Sequence, residues 1–450
     1  MSSARRGRIF TIAVAAAVAV AFADSSIVVL ALPNIYGAFD TSIVAVSWVI
    51  TSYNLVVAVV AFALLPALRR IDAGLLSRVG LVALFAGSIG SAAGTSLPML
   101  LAFRCLQGVG AAFLLAGALA LLSALTGSTA RGVAVWTTAG TFGAAVGPAL
   151  GGVLTQLFDW RAIFVVQAPV ALLALVAAFE SHLHPHMPAD VERGKLAANL
   201  GLALVFGALV GALFLAVLLV ITVWGLSPLA GAAVVSALPL AAIASRRLAT
   251  ELSPRFGAGA GAGLLAAGLV ALALLPSTST VVAALALALC GVGLGLAVPV
   301  LTHTAVRPDA GVVRSGTLTV GARHAGLVAA LVVVAPLLSH DLVRGGDTAL
   351  LGGTKVILDG DAPLRQKVPI VLDLRSALDG APKGVVPDLA EPFNKRGAQH
   401  DSRLRRLRDD LIGALEGAVT RAFRRSFALS ALFALLALAP ILTARRLVDS

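Results

Sequence analysis

Charged side chains are scarce along this 450-residue chain, and their scarcity excludes a soluble fold. Only 12% of the residues are Asp, Glu, Lys or Arg, against roughly 25% in a soluble domain. Hydrophobic residues make up 59% of the chain, and the mean hydropathy is +0.97. A soluble core of this size could not bury so much apolar surface, so most of the chain must lie in lipid.

Cysteine and the common catalytic motifs are also lacking. Cys105 and Cys290 are the only cysteines, and both lie in apolar runs, so a disulfide framework is not expected. Walker A, HExxH, GxSxG and CxxC patterns are absent, and the glycine-rich run 291–298 does not follow a strand. The three histidines of segment 181–197 lack a matching set of carboxylates or thiolates. We therefore expect no enzyme activity, no metal site and no cofactor, and energy from a proton gradient instead of ATP.

Hydropathy predicts about twelve membrane spans, each close to the ~20 apolar residues that cross a bilayer. Only one long polar segment, 340–425, interrupts them. The approximate limits of the spans are 10–33, 43–68, 77–95, 98–123, 132–156, 162–180, 198–222, 228–248, 257–275, 280–302, 315–339 and 426–444.

The basic residues outside the spans and outside 340–425 predict the orientation. They lie in the N-terminus, the C-terminus and the loops after even-numbered spans, and Arg161 alone lies in the other set of loops. The positive-inside rule then places both termini in the cytoplasm and 340–425 on the outer side. This bias explains the net charge of +12 without a nucleic-acid partner. We expect a multi-pass protein of the cytoplasmic membrane.

A polar linker divides the spans into two groups of six, as in a two-fold repeat. The predicted domains are an N-terminal six-helix bundle at 1–180, a cytoplasmic linker at 181–197 and helices 7–11 of a C-terminal bundle at 198–339. An extracytoplasmic insert at 340–425 and helix 12 with a cytoplasmic tail at 426–450 complete the chain. The predicted fold is an all-α integral membrane protein, with two bundles in a pseudo-two-fold arrangement around a central cavity.

The insert is soluble-like in composition and predicts two helices. Segment 361–380 begins with a capping Asp and an early Pro, and segment 400–427 places leucines on one face and runs into span 12. Two interpretations of its arginines stay open: binding of anionic lipid headgroups, or a solvated face. An extracytoplasmic partner for the insert is a further possibility. The arginines concerned are Arg403, Arg405, Arg406 and Arg408.

Span 5 contains the string GTFGAAVGPALGG at 140–152. Gly143, Gly147 and Gly151 recur every four residues, so one helix face lacks side chains and permits close backbone approach. Gly152 flanks this stripe, and Pro148 removes one backbone hydrogen bond and bends the helix. Ordinary small-residue packing is the alternative interpretation of this stripe, although the full string is more specific than a GxxxG pattern.

The string resembles the span-five motif GxxxGPxxGG of drug/proton antiporters in the major facilitator superfamily. The resemblance covers 1–340 and the last span, and it is strongest to a branch with fourteen spans, whose two central extra spans are missing here. It implies proton-coupled export of a small molecule. Other segments that resemble the family in order are DSSIVVLALPNI (24–35), SWVITSYNL (47–55), FRCLQGVGAA (103–112), DWRAIFVVQAPV (159–170), WGLSPLAGAAVVSALP (224–239), GVGLGLAVP (291–299) and ARHAG (322–326).

The chain departs from the family pattern at its loops and in two spans. Pro66 and Arg70 replace a glycine and an acid in the loop after span 2, and Pro254 stands where an acid could occur in the second half. Val29 and Gln167 replace family asparagines in spans 1 and 6. These departures keep an alternative open: a transport-inactive membrane receptor or assembly partner that binds through the outer insert.

Asp24 is the only acid well inside a span, and it identifies the candidate proton-coupling site. At ~1.5 Å per residue, Asp24 lies ~13 Å and Arg104 ~10 Å from the outer ends of spans 1 and 4. Because an unpaired charge in a span costs ~3 kcal/mol or more, we expect these two to pair. Separation of the pair during a conformational cycle could load and release a proton. A permanent pair that only fixes helix register is the alternative.

Gln107, Arg323 and His324 are predicted to line the substrate cavity. Arg323 and His324 lie ~10 Å from the inner end of span 11, where they could attract an anionic or zwitterionic group. An interfacial Arg323 that reaches lipid headgroups is the alternative. With Arg104, Arg323 and His324 against the single acid Asp24, a cationic substrate is not favoured, and the expected substrate is a small amphiphilic, drug-like or lipid-like compound. The expected partners are therefore membrane lipids, this substrate and protons.

Overall fold

The computed structural model describes residues 3–68, 70–180, 195–275, 278–306, 311–359, 364–380, 391–395 and 401–443. Most of the predicted linker and the tail after residue 443 lie outside the described residues. Within the described part, all regular secondary structure is helical, and twelve helices are long and apolar enough to cross a membrane. The prediction of an all-α membrane protein with twelve spans is thus confirmed.

The first half forms six continuous helices. Span 1 is Ser3–Ala38, span 2 is Ile43–Leu64, span 3 is Ala73–Ala92, span 4 is Leu97–Thr126, span 5 is Thr129–Leu157 and span 6 is Ala162–Glu180.

The second half contains more interruptions. Span 7 is Lys195–Val217 and continues as a π-helical turn, Leu218–Val223; span 8 is divided into Pro228–Val235, Ala237–Ser245 and Leu248–Glu251; span 9 is Pro254–Ala273; span 10 is Thr280–Ala305; span 11 opens the helix Val312–Asp359; span 12 consists of Arg424–Leu436 and Leu438–Thr443.

Short polar side chains fix where several of these spans begin. The hydroxyls of Ser42, Ser96 and Ser128 accept hydrogen bonds from backbone amides in the first turns of spans 2, 4 and 5. Each satisfies an amide that has no partner inside its helix. Gly127 ends span 4 with a φ of 64°, a left-handed conformation that glycine adopts without strain. The sequence therefore encodes the tight turn between spans 4 and 5 through Gly127 and Ser128.

Two glycine pairs occupy equivalent places in the two halves. Gly80 of span 3 lies against the backbone of Gly110 in span 4, and Gly261 of span 9 lies against that of Gly293 in span 10. In each pair, a Cβ on one glycine would meet the carbonyl oxygen of the other at 2.5–2.8 Å. Small residues allow this close approach of membrane helices. The repetition of the contact supports the two-fold relation between the bundles.

The insert begins as an extension of span 11, because the helix that starts at Val312 continues to Asp359. Further helices follow at Leu364–Gly380, Glu391–Asn394 and Ser402–Ala422, so both predicted insert segments contain a helix. The Ser402–Ala422 helix packs beside the long helix, with Leu404, Leu407 and Leu411 buried. It meets span 12 at Phe423, where the helix is briefly interrupted instead of running on unbroken.

Candidate functional site

A buried ion pair joins spans 1 and 4 inside the first bundle. Arg104 Nη1 donates to Asp24 Oδ1 at 2.8 Å and Arg104 Nη2 donates to Asp24 Oδ2 at 2.5 Å. The exposed fractions of the two side chains are 0% and 2%. This fork-to-fork geometry is the strongest arrangement for an arginine and a carboxylate. The two charges therefore lie at the same depth, as the sequence predicts, and neither faces lipid.

Two glutamines extend the pair into a closed polar network. Gln107 Oε1 accepts from Arg104 at 2.9 Å, and Gln107 Nε2 donates to Gln167 Oε1 at 3.0 Å. Gln167 Nε2 donates to Asp24 Oδ1 at 3.1 Å. Ser88 and Ser91 of span 3 complete the hydrogen bonds of Gln107 at 2.9 and 3.0 Å. Four spans thus share one buried network, and Asp24 accepts hydrogen bonds from two of them, span 4 and span 6.

Aromatic rings and one backbone carbonyl hold the Arg104 guanidinium. Its Nε donates to the Val49 carbonyl oxygen at 2.8 Å. Its Cζ lies 4.5 Å from the ring centroid of Tyr53 and 5.6 Å from that of Phe164. Cation–π contacts of this kind are stabilising when the cation is desolvated. Arg104 therefore keeps partners other than Asp24, which matters for any step in which the pair separates.

A central cavity lies between the bundles, beside this network but separate from it. Its walls come from spans 1 and 5 of the first bundle and spans 7, 8, 10 and 11 of the second. Asp24 and Arg104 are not on its surface, but Ser25 and Ser26, which follow Asp24 in span 1, are. A displacement of span 1 would therefore move the cavity wall and the ion pair together.

The cavity extends toward one end of the bundle. We call this end the basic face, because Arg70 and Arg247 lie there in turns and Arg131 lies there in the first turn of span 5. The cavity wall includes Thr302, about three residues from the end of span 10 at this face, and Arg246 near the same end of span 8. In the part of the chain that the structure describes, the cavity thus runs from mid-bundle toward the basic face.

The bundles meet at the opposite face through spans 5 and 8. A Cβ on Gly152 would meet the carbonyl oxygen of Pro228 at 2.9 Å and would overlap the side chain of Ala232. Spans 2 and 11 meet near the basic face, where Arg314 Nη1 donates to the Leu65 carbonyl oxygen at 3.5 Å. The contact between spans 5 and 8 consequently closes the cavity toward the opposite face. The contact between spans 2 and 11 is a second contact between the bundles and lies near the basic face.

The glycine string of span 5 lies at two interfaces, one with span 1 inside the first bundle and one with span 8 between the bundles. Gly143 and Gly151 lie against the backbone of span 1 at Ala19 and Ile27, and Gly147 lies against Ser26. The close helix approach predicted for this stripe is therefore present. Two further residues face elsewhere, because Pro148 lines the cavity and Gly152 lies at the contact with span 8.

Arg323 and His324 lie on the cavity wall, as predicted, and not at lipid headgroups. Their exposed fractions are 7% and 4%. Arg323 Cζ lies 4.5 Å from the ring centroid of Phe22 and 4.0 Å from that of Phe206, so the guanidinium bridges spans 1 and 7. His324 Nδ1 lies 2.8 Å from the Val320 carbonyl oxygen, which can only accept, so Nδ1 carries the proton.

Gln107 differs from its predicted place. It does not line the cavity, because its amide makes four hydrogen bonds inside the first bundle and packs there with no exposure. Gln167 was not predicted as a partner of Asp24, although a polar amide in an apolar span was a usable signal. Phe22 and Phe206 carried no signal, since aromatic residues in spans usually serve packing.

A two-bundle helical membrane fold with a cavity between the halves defines a transporter architecture. Residues 14–332 match the family model of the Major Facilitator Superfamily. The chain therefore belongs to the major facilitator superfamily, a family of transporters, and it is a multi-pass membrane protein.

Comparisons with individual proteins agree with this membership. Multidrug resistance protein Stp of Mycobacterium tuberculosis is 36% identical over 159 residues, which cover 34% of this chain and 29% of that protein. Puromycin resistance protein pur8 of Streptomyces alboniger is 38% identical over 161 residues, or 34% and 31% of the two chains. The matched region thus spans about a third of the length of each relative.

Solved structures show the same fold at low identity. A bacterial homologue of the human lysosomal transporter Spinster, in an inward-facing and unoccupied conformation, has a TM-score of 0.66 and 16% identity over 100% of this chain and 98% of its own. A D-xylose–proton symporter has a TM-score of 0.57 and 16% identity over 72% of this chain and 88% of its own.

Proposed function

We propose that the protein is a secondary active transporter that exports a small amphiphilic, drug-like or lipid-like compound in exchange for protons. Its site would be the cytoplasmic membrane, with both termini and the basic face in the cytoplasm. The observation that carries the proposal is the buried Asp24–Arg104 pair next to the cavity wall. Several relatives with partial matches are named as resistance or efflux proteins, which supports the direction of transport.

The pair can store a proton because the two side chains differ in what they keep when the pair separates. Arg104 keeps other partners, whereas the Asp24 carboxylate loses its charged ones. If span 1 moves away from span 4, the Asp24 carboxylate loses two charged hydrogen bonds and accepts a proton on one oxygen. Arg104 keeps the Val49 carbonyl, Gln107 and the Tyr53 ring as partners. When the helices return, Arg104 displaces the proton from Asp24. One proton is taken up and one is released per cycle.

The cavity fits the loading state of an exporter. If the basic face is cytoplasmic, the cavity runs toward the cytoplasm and is closed on the outside at Gly152. Ser25 and Ser26 link the substrate cavity to the proton site, since they lie on the cavity wall and directly follow Asp24 in span 1. A proton that enters down the gradient would supply roughly 2.3 kcal/mol per 100 mV of membrane potential.

A receptor or assembly function without transport is the second candidate. It is favoured by the turn between spans 2 and 3, where the contacts of Asp72 with described residues are all local. Asp72 caps span 3: it accepts from the Leu75 amide at 2.7 Å, and its Oδ1 lies 3.9 Å from Nη2 of Arg78 in that span. The turn therefore has no acid that bridges the bundles among the residues described.

Proton flux in proteoliposomes separates the two functions. The protein is reconstituted with a pH-sensitive dye inside, and ethidium, anilinonaphthalenesulfonate and Nile red are added in turn as cationic, anionic and neutral amphiphiles. If the protein is a transporter, at least one probe should start a proton flux. The same probe should be concentrated across the membrane when a pH gradient is imposed. A receptor predicts that no probe moves protons and that none is concentrated, while empty liposomes give the baseline.

A further inference from the structure

Arg323 is a buried cation whose guanidinium is incompletely satisfied. Its exposed fraction is 7%, and its Nε is buried without a hydrogen-bond partner. It makes no ion pair with any described residue. Asp24, the acid well inside span 1, is already engaged, because Arg104 holds it through two hydrogen bonds. An unpaired buried charge is costly within a membrane span, so Arg323 has capacity for a ligand.

Aromatic contacts compensate Arg323 only in part. Phe22 and Phe206 lie on the guanidinium at 4.5 and 4.0 Å from Cζ to ring centroid. These rings stabilise the charge and hold its plane, but they cannot accept its N–H hydrogens in the plane. The in-plane donors of an arginine match a carboxylate, phosphate or sulfonate group.

The rest of the cavity favours an anion over a cation. No acidic side chain lines the cavity among the residues that the structure describes. Arg246 adds a second positive charge on the wall near the basic face. Thr302 Oγ1 is buried without a hydrogen-bond partner and lies on the same wall, so it can donate to an oxygen atom.

We propose that the central cavity binds an amphiphilic anion, with its acidic group on Arg323 and its apolar body among the aliphatic side chains. The aliphatic wall is supplied by residues such as Leu209, Leu213, Leu294 and Val298. Arg246 attracts the anion from the basic face, and Phe22 and Phe206 orient Arg323 toward it. The inference rests on the proposed transport function and names the charge class of its substrate.

Equilibrium binding of three matched probes tests the charge class. Naphthoate, naphthalenemethanol and naphthylmethylammonium have the same apolar ring system and differ in charge. Their binding to the full chain in phosphatidylcholine nanodiscs is measured by calorimetry. A charged hydrogen bond is worth about 1.5–3 kcal/mol, so naphthoate should bind about tenfold to a hundredfold more tightly than the alcohol. Equal or tighter binding of the ammonium compound would overturn the proposal.

Variants locate the anion in the cavity. Arg323→Gln should reduce naphthoate affinity to within about twofold of the alcohol, whereas Arg323→Lys should keep the preference for the anion in weakened form. Arg131→Gln removes an exposed charge at the basic face outside the cavity, and it should leave binding unchanged. Equal anion preference in Arg323→Gln and Arg131→Gln would refute the placement. If Arg323→Gln does not fold, the charge preference of the unmodified protein still decides the class.

Two outcomes distinguish the source of the anion, and both leave the headgroup chemistry as proposed. Displacement of naphthoate by dihexanoylphosphatidylglycerol identifies a lipid headgroup, and naphthoate binding that resists this competitor identifies a soluble acid. Because binding is measured without a gradient, the binding test and the transport test give independent results. Anion preference without proton flux would refute transport alone, and proton flux with a preference for the ammonium probe would refute the anion site alone.

Discussion

The Asp24–Arg104 pair should show a large coupling free energy in a double-mutant cycle. The variants are Asp24→Asn, Arg104→Gln and their combination. In either single variant, the remaining charge stays buried without its partner, and breaking a buried pair in this way costs about 3–5 kcal/mol of unfolding free energy. We expect Asp24→Asn near the lower limit, because Arg104 keeps hydrogen bonds to Val49 and Gln107 at 2.8 and 2.9 Å.

The combined variant should cost less than the sum of the single variants, since it buries two amides and no charge. The expected coupling free energy is at least about 2 kcal/mol. Reversible unfolding in mixed detergent micelles, followed by far-UV circular dichroism, gives the four free energies. The matched control is the surface pair Asp159–Arg161, at 3.2 Å with exposed fractions of 49% and 40%, where coupling should stay below about 1 kcal/mol. Additivity within about 0.5 kcal/mol at Asp24 and Arg104 would refute the reasoning.

Two further predictions concern the interfaces. Gly152→Leu should disfavour the contact with Ala232 by about 1–3 kcal/mol and so lower the population of the conformation in which spans 5 and 8 are in contact. Maleimide labelling of Thr141→Cys on the cavity wall should then slow about fivefold or more. Unchanged labelling would contradict the interface. Trp224→Phe should remove the 3.2 Å hydrogen bond from Nε1 to Thr420 Oγ1, costing about 0.5–1.5 kcal/mol, and should raise hydrogen exchange in 402–422, whereas unchanged exchange would show that the bond does not hold the insert.

The spans could be predicted from the sequence because lipid imposes a simple rule on the backbone. Every span needs a long apolar run with internal hydrogen bonds, so hydropathy alone located all twelve. It did not locate the end of the helix that begins at Val312, since that helix continues to Asp359 in polar sequence, where hydropathy no longer reports helix boundaries. The divisions of span 8 likewise left no hydropathy signal.

The candidate site was predicted only in part. Counting residues placed Asp24 and Arg104 at one depth, because helical rise is constant. The direction of a side chain around its helix is not given by depth, so Gln107 was assigned to the cavity although it faces Gln167 and Ser88. The place of Arg323 between two aromatic rings depends on packing between the bundles, which no single stretch of sequence encodes.

Proton-driven transport by Asp24→Asn tests the central claim most directly. Proteoliposomes with this variant or with the surface control Asp159→Asn are compared for probe accumulation under a pH gradient and for counterflow exchange without one. We predict that Asp24→Asn loses accumulation under the gradient but retains exchange, while Asp159→Asn retains both. Accumulation by Asp24→Asn that depends on the pH gradient as in the unmodified protein would contradict the claim that this carboxylate carries the proton.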